Sequence, residues 1–156
     1  MIQGRRVGVV IPARDEESHI EGVLVHLPET VDLAVVVNDG SVDRTSEAAR
    51  LAKAPCEVVV IDGNGDGVGA AIDRGHRHLL SCWDGPFISV VMAGDGQMNP
   101  DDMEALVQPI LNGAADHVKG NRCLHPEGLN RMPKLRQRAT AVLSLFTTLA
   151  ACLLYT

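Results

Sequence analysis

Three short apolar runs that each end at an acidic loop constrain the fold of this chain most strongly. The runs cover residues 7–11, 33–37 and 87–92, and the loops after them carry Asp15, Asp39 and Asp95. Strands that are buried on both faces of a parallel sheet read as continuous apolar runs of this kind. We therefore expect the three loops to meet at the carboxyl edge of one sheet, where open α/β sheets bind their ligands.

Strand and helix signals alternate along the chain. Strands are predicted at 6–12, 33–38, 56–62, 87–93 and 115–119, and helices at 16–26, 42–53, 68–80 and 101–111. Ser41 or Asp43 is expected to cap the second helix, and Asn99 followed by Pro100 to start the fourth. Alternation of this kind predicts an α/β fold with a mainly parallel, Rossmann-like sheet and helices on both faces.

Length and the last segment bear on domain organisation. The 156 residues have the size of a single domain. Residues 139–156 carry no charge and follow a basic stretch, which predicts an apolar helix packed on the sheet or lying at a membrane surface. This run has no helix stop signal, so the single domain 1–156 is expected to be truncated at its carboxyl end.

Composition excludes several classes of function. The formal net charge is -6, with one Trp, one Tyr and two Phe, so neither a basic nor an aromatic nucleic-acid surface is expected. The four cysteines form no CxxC pair, which argues against a zinc site and predicts buried free thiols. The first apolar run is too short for a signal peptide. We therefore expect a cytoplasmic protein, placed at the cytoplasmic face of a membrane if residues 139–156 contact lipid.

Asp95 is the strongest single candidate for chemistry. It stands between two glycines directly after an apolar run, and Gln97 follows two residues later. A carboxylate held at the edge of a sheet suits Mg²⁺ or Mn²⁺ bridging a diphosphate. The alternative is a loop aspartate that caps the next helix.

Four motifs in chain order resemble glycosyltransferase family 2, in the branch that glycosylates dolichyl or undecaprenyl (polyprenyl) phosphates. They are VVIPARDEE at 9–17, NDGSVDRT at 38–45, GVGAAIDRG at 67–75 and MAGDGQMNP at 92–100. The resemblance implies the GT-A fold and a nucleotide sugar, with UDP or GDP, lying across the strand ends. The residues it implies for nucleotide-sugar binding are Pro12, Arg14, Glu16, Asp39, Gly67 and Asp95.

The resemblance also implies a metal site and a catalytic centre. Asp95 and Gln97 match the metal-binding positions, but Ala93 stands where the family has the first acid of its DxD motif, so one ligand is missing. Asp95 and Arg122 are the implied catalytic residues, because a metal and a cation stabilise a departing diphosphate. Three arginines are candidates for the phosphate on the acceptor side, or alternatively belong to a solvated basic segment: Arg131, Arg136 and Arg138.

Two further motifs have structural explanations. Asp43 and Thr45 are expected to hold their loop and cap the following helix. The glycines of 63–69 resemble a dinucleotide fingerprint, but Asp62 and Asp66 would repel a pyrophosphate there. We expect these glycines, with Ala70 and Ala71, to let the helix approach the sheet closely.

The sequence thus predicts transfer of a hexose from a UDP- or GDP-sugar to a polyprenyl phosphate. The alternative is a catalytically incomplete module that binds a nucleotide sugar without turnover. A nucleotidyltransferase is a further alternative, but it would need a basic glycine-rich loop after the first strand, where this chain has PARDEE.

Overall fold

The structure is a computed structural model that describes residues 2–120 and, beyond them, residues 139, 142, 143 and 146. Its elements follow in the order β1 (Arg6–Ala13), α1 (Ile20–Val25), β2 (Leu33–Asn38), α2 (Thr45–Leu51), β3 (Glu57–Asp62), α3 (Val68–Cys82), β4 (Phe87–Val91), a 3₁₀ turn (Pro100–Asp102) and α4 (Met103–Leu111). The predicted alternation of strands and helices is confirmed for these elements.

The described strands form one parallel sheet with the order β3-β2-β1-β4. β1 and β2 are central, and every residue of β2 is buried. The chain moves outward from β1 to β3 and then returns across the sheet through α3 to place β4 on the other side of β1. The direction of winding therefore reverses between β1 and β4, which is the point where open α/β sheets bind ligands.

Helices cover both faces of the sheet. On one face, buried residues of α1, α2 and α4 pack against alternate residues of β1 and β2. On the other face, α3 presents Ala71, Gly75 and Leu79, which recur every four residues and so form one buried stripe. A Cβ on Gly75 would overlap the side chain of Val10, and one on Gly8 would lie 2.6 Å from Leu79 Cδ2. The close approach of α3 to the sheet therefore depends on these two glycines.

Three predicted elements differ from the structure. Residues 115–119 form no strand, because the chain turns back after α4 and the amides of Ala114 and Ala115 donate to the carbonyl of Pro109 at 2.9 and 3.3 Å. α1 begins at Ile20 instead of Glu16, after a turn at 17–19 in which the carbonyl of Glu16 accepts from the amides of His19 and Ile20 at 3.0 and 2.9 Å. α2 spans Thr45–Leu51 instead of 42–53.

The remaining predictions on the fold have mixed outcomes. Of the two free cysteines described, Cys56 is half-buried but Cys82 is exposed, so the prediction of buried thiols is wrong for Cys82. The contacts divide the chain into two compact units, residues 1–118 and 119–156. Within 119–156, the described residues of the predicted apolar helix are helical: Ala139, Val142, Leu143 and Phe146. The described part of the chain contains no helix with the length and apolarity to cross a membrane.

Candidate active site at the carboxyl edge of the sheet

Strand register places the acidic loops at one level of the sheet. Ala13 pairs with Asn38, and Asn38 pairs with Asp62, so β1, β2 and β3 end side by side. Beyond the end of β4, the amide of Gly94 still donates to the carbonyl of Pro12 at 3.2 Å. Asp39 and Asp95 consequently begin on opposite sides of β1, about 10 Å apart by the spacing of neighbouring strands.

The loop after β1 is bound to the loop after β2 by reciprocal hydrogen bonds. The amide of Asp15 donates to Ser41 Oγ at 2.9 Å, and the amide of Val42 donates back to Asp15 Oδ1 at 2.8 Å. The amide of Glu16 donates to Oγ1 of the fully buried Thr45 at 2.8 Å. Asp15 has a φ of 56°, a left-handed conformation that is uncommon outside glycine. These contacts hold the strained turn in place.

Glu17, Asp43 and Arg44 extend the same connection. The amide of Glu17 donates to Asp43 Oδ2 at 3.0 Å, and Arg44 Nη2 lies 2.7 Å from Glu17 Oε1. Asp43 also accepts from the amide and the hydroxyl of Thr45. The Thr45 hydroxyl bond, with the backbone bonds from Glu17 and Thr45, lowers the pKa of Asp43 below its ordinary value. Asp43 and Thr45 hold the loop as predicted. The predicted capping of α2 is wrong, because its N-cap residue is Arg44 and no side chain caps it, and Ser41 binds Asn38 and Asp15 instead.

Asp39 is the most buried acid at this edge, with 4% of its surface exposed. Its amide donates to the carbonyl of Ala13, and its Oδ2 accepts from the amide of Gly67 at 2.8 Å. Its Oδ1 is buried and has no hydrogen-bond partner among the described residues. Because a buried polar atom is nearly always paired, this oxygen is a strong candidate for contact with a ligand donor.

Asn38 and Asp62 continue the network toward β3. Asn38 Nδ2 donates to Asp62 Oδ1 at 3.2 Å and to Ser46 Oγ at 2.7 Å, while Arg50 Nη2 lies 2.8 Å from Asp62 Oδ2. Hydrogen bonds from Ser46, Asn38 and Arg50 lower the pKa of Asp62. These polar side chains are therefore paired with one another and stabilise the ends of β2 and β3, where the loops begin.

Asp95 is half-buried, and its Oδ1 accepts from the amide of Gln97 at 3.0 Å. Its Oδ2 has no partner among the described residues, and the side chain of Gln97 is exposed. Within that part of the chain, no three His, Cys, Asp or Glu side chains are grouped to hold a metal ion. Mg²⁺ usually takes one or two carboxylates together with substrate phosphates and water. This donor set thus fits a cation that arrives with a diphosphate.

The other candidates for nucleotide-sugar binding lie at the same edge, with different surroundings. Pro12 is half-buried and bonded through its carbonyl to Gly94, whereas Arg14 is exposed. Glu16 is half-buried, and its Oε2 lies 2.9 Å from His19 Nδ1. His19 was not singled out from the sequence, since a histidine three residues after an acid is an ordinary surface pattern.

The glycine-rich loop between β3 and α3 differs from its predicted role. Gly67 has a φ of 97° and donates its amide to Asp39, while Cβ atoms built on Gly67 and Gly69 meet nothing within 4 Å. The close packing predicted for this segment is confirmed for Ala71, which is fully buried, but it is wrong for Gly67 and Gly69, and Gly75 makes the close approach to the sheet. Gly67 is therefore needed for loop conformation and for contact with Asp39.

The remaining predicted residues are not placed by the structure. Arg122, Arg131, Arg136 and Arg138 lie outside the described residues. A cavity of about 310 Å³ borders the site, between α1 and the loop after β4, and is lined by residues that include His19, Gly96 and Met98. A larger cavity of about 630 Å³ lies at the opposite, amino end of the strands, next to Arg6 and Trp83. Its position makes it unrelated to the acidic loops.

Known proteins are similar to this chain over most of its length. Residues 8–153 match the profile of the family described as Glycosyl transferase family 2. An uncharacterised protein of Methanocaldococcus jannaschii is 34% identical over 142 residues, 90% of this chain and 56% of that protein. UDP-N-acetylglucosamine–dolichyl-phosphate N-acetylglucosaminyltransferase of Methanococcus voltae is 28% identical, over 90% of this chain and 61% of that protein. The chain thus spans somewhat more than half the length of these curated relatives.

Solved structures show the same fold. Glucosyl-3-phosphoglycerate synthase from Mycobacterium tuberculosis in complex with UDP has a TM-score of 0.55 and 31% identity, covering 70% of this chain and 41% of that one. Its complex with Mn²⁺, UDP and glucosyl-3-phosphoglycerate has a TM-score of 0.54 and 28% identity, covering 69% and 40%. The chain has a parallel sheet of the GT-A type, and the family profile covers residues 8–153. This chain therefore belongs to glycosyltransferase family 2.

Proposed function

We propose that this chain binds a UDP-sugar across the carboxyl ends of β2, β1 and β4 and takes part in transferring its hexose to a polyprenyl phosphate. The observation that carries the proposal is Asp39, a buried carboxylate at that edge whose Oδ1 has no partner among the described residues. A ring N–H of the base is a fitting donor for it. The solved relatives in complex with UDP support the choice of uridine over guanosine.

The acceptor is proposed from chemistry and from one relative. A phosphate is ionised at neutral pH, so its oxygen can attack the anomeric carbon without a protein base while the bond to the UDP oxygen breaks. The described edge carries acids that are mostly committed to the loops, and this suits an acceptor that needs no deprotonation. The relative from Methanococcus voltae is named for transfer to dolichyl phosphate.

Asp95, with Gln97 beside it, is proposed to hold Mg²⁺ or Mn²⁺ on the diphosphate. When bound, such a cation neutralises charge on the departing UDP. Solved relatives have been obtained with Mg²⁺ or Mn²⁺ together with UDP. We further propose that Arg122 contacts the departing diphosphate, and that Arg131, Arg136 and Arg138 face the acceptor phosphate, at a membrane surface if the acceptor is a lipid.

A nucleotide-sugar-binding module without turnover is the second candidate, and Ala93 favours it. The alanine removes the first acid of the DxD motif, which leaves Asp95 as a single carboxylate. The two candidates differ in product. An active transferase releases UDP when polyprenyl phosphate is added to a UDP-sugar, whereas a binding module saturates with the nucleotide sugar and releases none.

The first test is a thermal-shift panel of UDP- and GDP-sugars with and without Mn²⁺, because a ligand of the native state raises its melting temperature. We expect UDP-sugars to raise it most, and Asp95→Asn to remove the part that depends on Mn²⁺. Asp84→Asn is the matched control, since Asp84 is an exposed acid near the amino end of β4. Equal shifts for Asp95→Asn and wild type, with and without EDTA, would refute the metal assignment.

The second test addresses Asp39 directly. Asp39→Ala should weaken UDP binding by about 1–3 kcal/mol, the cost of losing one buried hydrogen bond to a charged group. Isothermal titration calorimetry on the full chain measures the change. An affinity within error of the wild-type value would mean that Asp39 shapes its loop without touching the base.

A further inference from the structure

Arg74 has an unusual environment for a charged side chain. It lies on α3, and its Nη2 donates to Asp66 Oδ2 at 3.0 Å. Its Nη1 is buried and has no hydrogen-bond partner among the described residues. Leaving a buried donor of a charged group unpaired is costly, so the position of Nη1 needs an explanation beyond the bond from Nη2 to Asp66.

Arg74 Nη1 lies beside Gly63, at the start of the loop between β3 and α3. A Cβ built on Gly63 would lie 2.5 Å from Arg74 Nη1, 3.0 Å from the carbonyl oxygen of Asn38 and 3.6 Å from the Cα of Asp39. The amide of Gly63 donates to that same carbonyl at 2.7 Å. The guanidinium therefore occupies the space beside Gly63, next to the point where β2 ends and Asp39 begins.

The second end of the loop is fixed through Asp66. Asp66 is bonded to Arg74 and directly precedes Gly67, whose amide donates to Asp39 Oδ2. The amide of Gly67 lies in the peptide plane that it shares with Asp66, so its direction depends on how Asp66 is held. Gly67 itself has a positive φ of 97°. Arg74 thus touches both ends of the loop whose amide orients the Asp39 carboxylate.

We propose that Arg74 is a positioning residue for base selection. With Asp66 it holds the β3–α3 loop so that Gly67 binds Asp39 Oδ2 and leaves Oδ1 pointing in one direction for the base. This inference rests on the proposed binding of a nucleotide at Asp39. Arg74 touches no reacting atom in this scheme, and its effect falls on which base is bound.

The chemistry of the bases makes the proposal specific. Uracil presents a ring N–H at N3, which can donate to a carboxylate oxygen, whereas cytosine has a lone pair at N3 and an amino group beside it. A carboxylate oxygen held in one direction accepts from the uracil N–H and repels the cytosine lone pair. A carboxylate that is free to rotate can accept from the cytosine amino group instead, so selection between the two is lost.

The test compares UDP and CDP, whose bases differ at this edge. Calorimetry on the full chain should give a preference of wild type for UDP. Arg74→Ala should lower UDP affinity about tenfold and bring the UDP/CDP ratio close to one, and Arg74→Lys should restore part of the ratio. The matched control is Arg77→Ala, which removes an exposed arginine paired with Asp73 on the same helix and should change neither affinity.

Asp66→Asn provides a second variant that removes the charge of the contact with Arg74 and leaves the arginine itself unchanged. It should lower the UDP/CDP ratio in the same direction by a smaller factor, and it carries the test if Arg74→Ala does not fold. A UDP/CDP ratio that stays at the wild-type value in the folded variants overturns the role of Arg74 while leaving the proposed function intact. A wild-type chain that binds no nucleoside diphosphate overturns both.

Discussion

The loops on the two sides of the β1–β4 junction are built differently. On the β2 side, the segments after β1 and β2 exchange hydrogen bonds between side chains and amides, with Asp15, Thr45 and Asp43 as acceptors. On the β4 side, the described hydrogen bonds of residues 92–99 are the backbone bonds to β1 and two local turns, one at Asp95 and one at Asn99. Each side keeps one carboxylate oxygen without a partner among the described residues, Asp39 Oδ1 and Asp95 Oδ2, but only the β2 side is held by hydrogen bonds between loops.

This difference suggests a division of labour. Groups that are fixed before a ligand arrives lose little entropy on binding, so the β2 side can select a base by shape and hydrogen bonding. The β4 side has fewer fixed groups, which suits a cation and diphosphate that bring most of their own ligands. Under the proposed function, the base would meet a preorganised β2 side, and the diphosphate and its cation would complete the β4 side.

Removing one connection on the β2 side should have the largest effect. Thr45→Val should lower the free energy of unfolding by about 1–3 kcal/mol, because the Glu16 amide loses its acceptor in a buried site. Urea denaturation measures it. Gln97→Ala, an exposed residue on the β4 side, is the control and should stay within about 0.5 kcal/mol of wild type. Similar losses for both variants would remove the contrast between the two sides.

Adding a ligand on the β4 side should have an intermediate effect. Ala93→Asp supplies a second carboxylate and should raise the affinity for Mn²⁺ in the presence of UDP about tenfold, since affinity follows the charge of the ligand set. Titration of Mn²⁺ by electron paramagnetic resonance gives the value. Ala93→Asn has the same size without the charge and serves as the control. An unchanged affinity in Ala93→Asp would mean that the missing acid does not limit the site.

The smallest effect is expected at the outer end of the β2 side. Hydrogen bonds from Ser46 and Asn38 hold the pKa of Asp62 below its ordinary value of 3.8. Its stabilising contribution is therefore present above that value and lost as the pH falls through the folded-state pKa. Asp62→Asn should cost about 0.2–1 kcal/mol near neutral pH, as for exposed ion pairs, and the difference from wild type should shrink in acid. Acid titration followed by circular dichroism measures this.

Asp84→Asn is the control for that titration, because Asp84 is exposed and has no hydrogen-bond partner among the described residues. Its stability should follow wild type at every pH. A constant difference between Asp62→Asn and wild type across the acid range would show that Asp62 acts through packing or helix contacts and not through its charge.

The sequence predicted the sheet well because its strongest signal was a set of short, continuous apolar runs separated by helical stretches. It placed Asp39 and Asp95 at one edge for the same reason. It failed at 115–119, where the alternation of strands and helices predicted a fifth strand but the amides after α4 close a turn on Pro109. The start of α1 was also missed, because residues 17–19 form a turn that, with Glu16, is bonded to Asp43 and Thr45, and contacts across that separation leave no local sequence pattern.

Arg74 lay outside sequence reasoning altogether. On α3, Arg74 is partly enclosed beside Gly63, whereas Arg77 is exposed. The helical sequence pattern does not distinguish these two arginines. Their difference arises from the path of the loop between β3 and α3, which turns through two glycines of positive φ, Gly65 and Gly67. Such a path depends on contacts with β2, so the local sequence contains too little information to give it.

The hydrogen bonds of Asp15 and Glu17 to the neighbouring loop affect how mutants of motif residues are interpreted. Both acids belong to the most recognisable stretch of the chain, and both have oxygens that accept amides of the neighbouring loop. Replacing either one removes a bond between the loops, so any activity that depends on this edge would fall even if neither acid contacts a sugar. Loss of activity alone would then assign a catalytic role to residues that maintain the structure of the loops. The melting temperature of each such variant therefore has to be measured together with its activity.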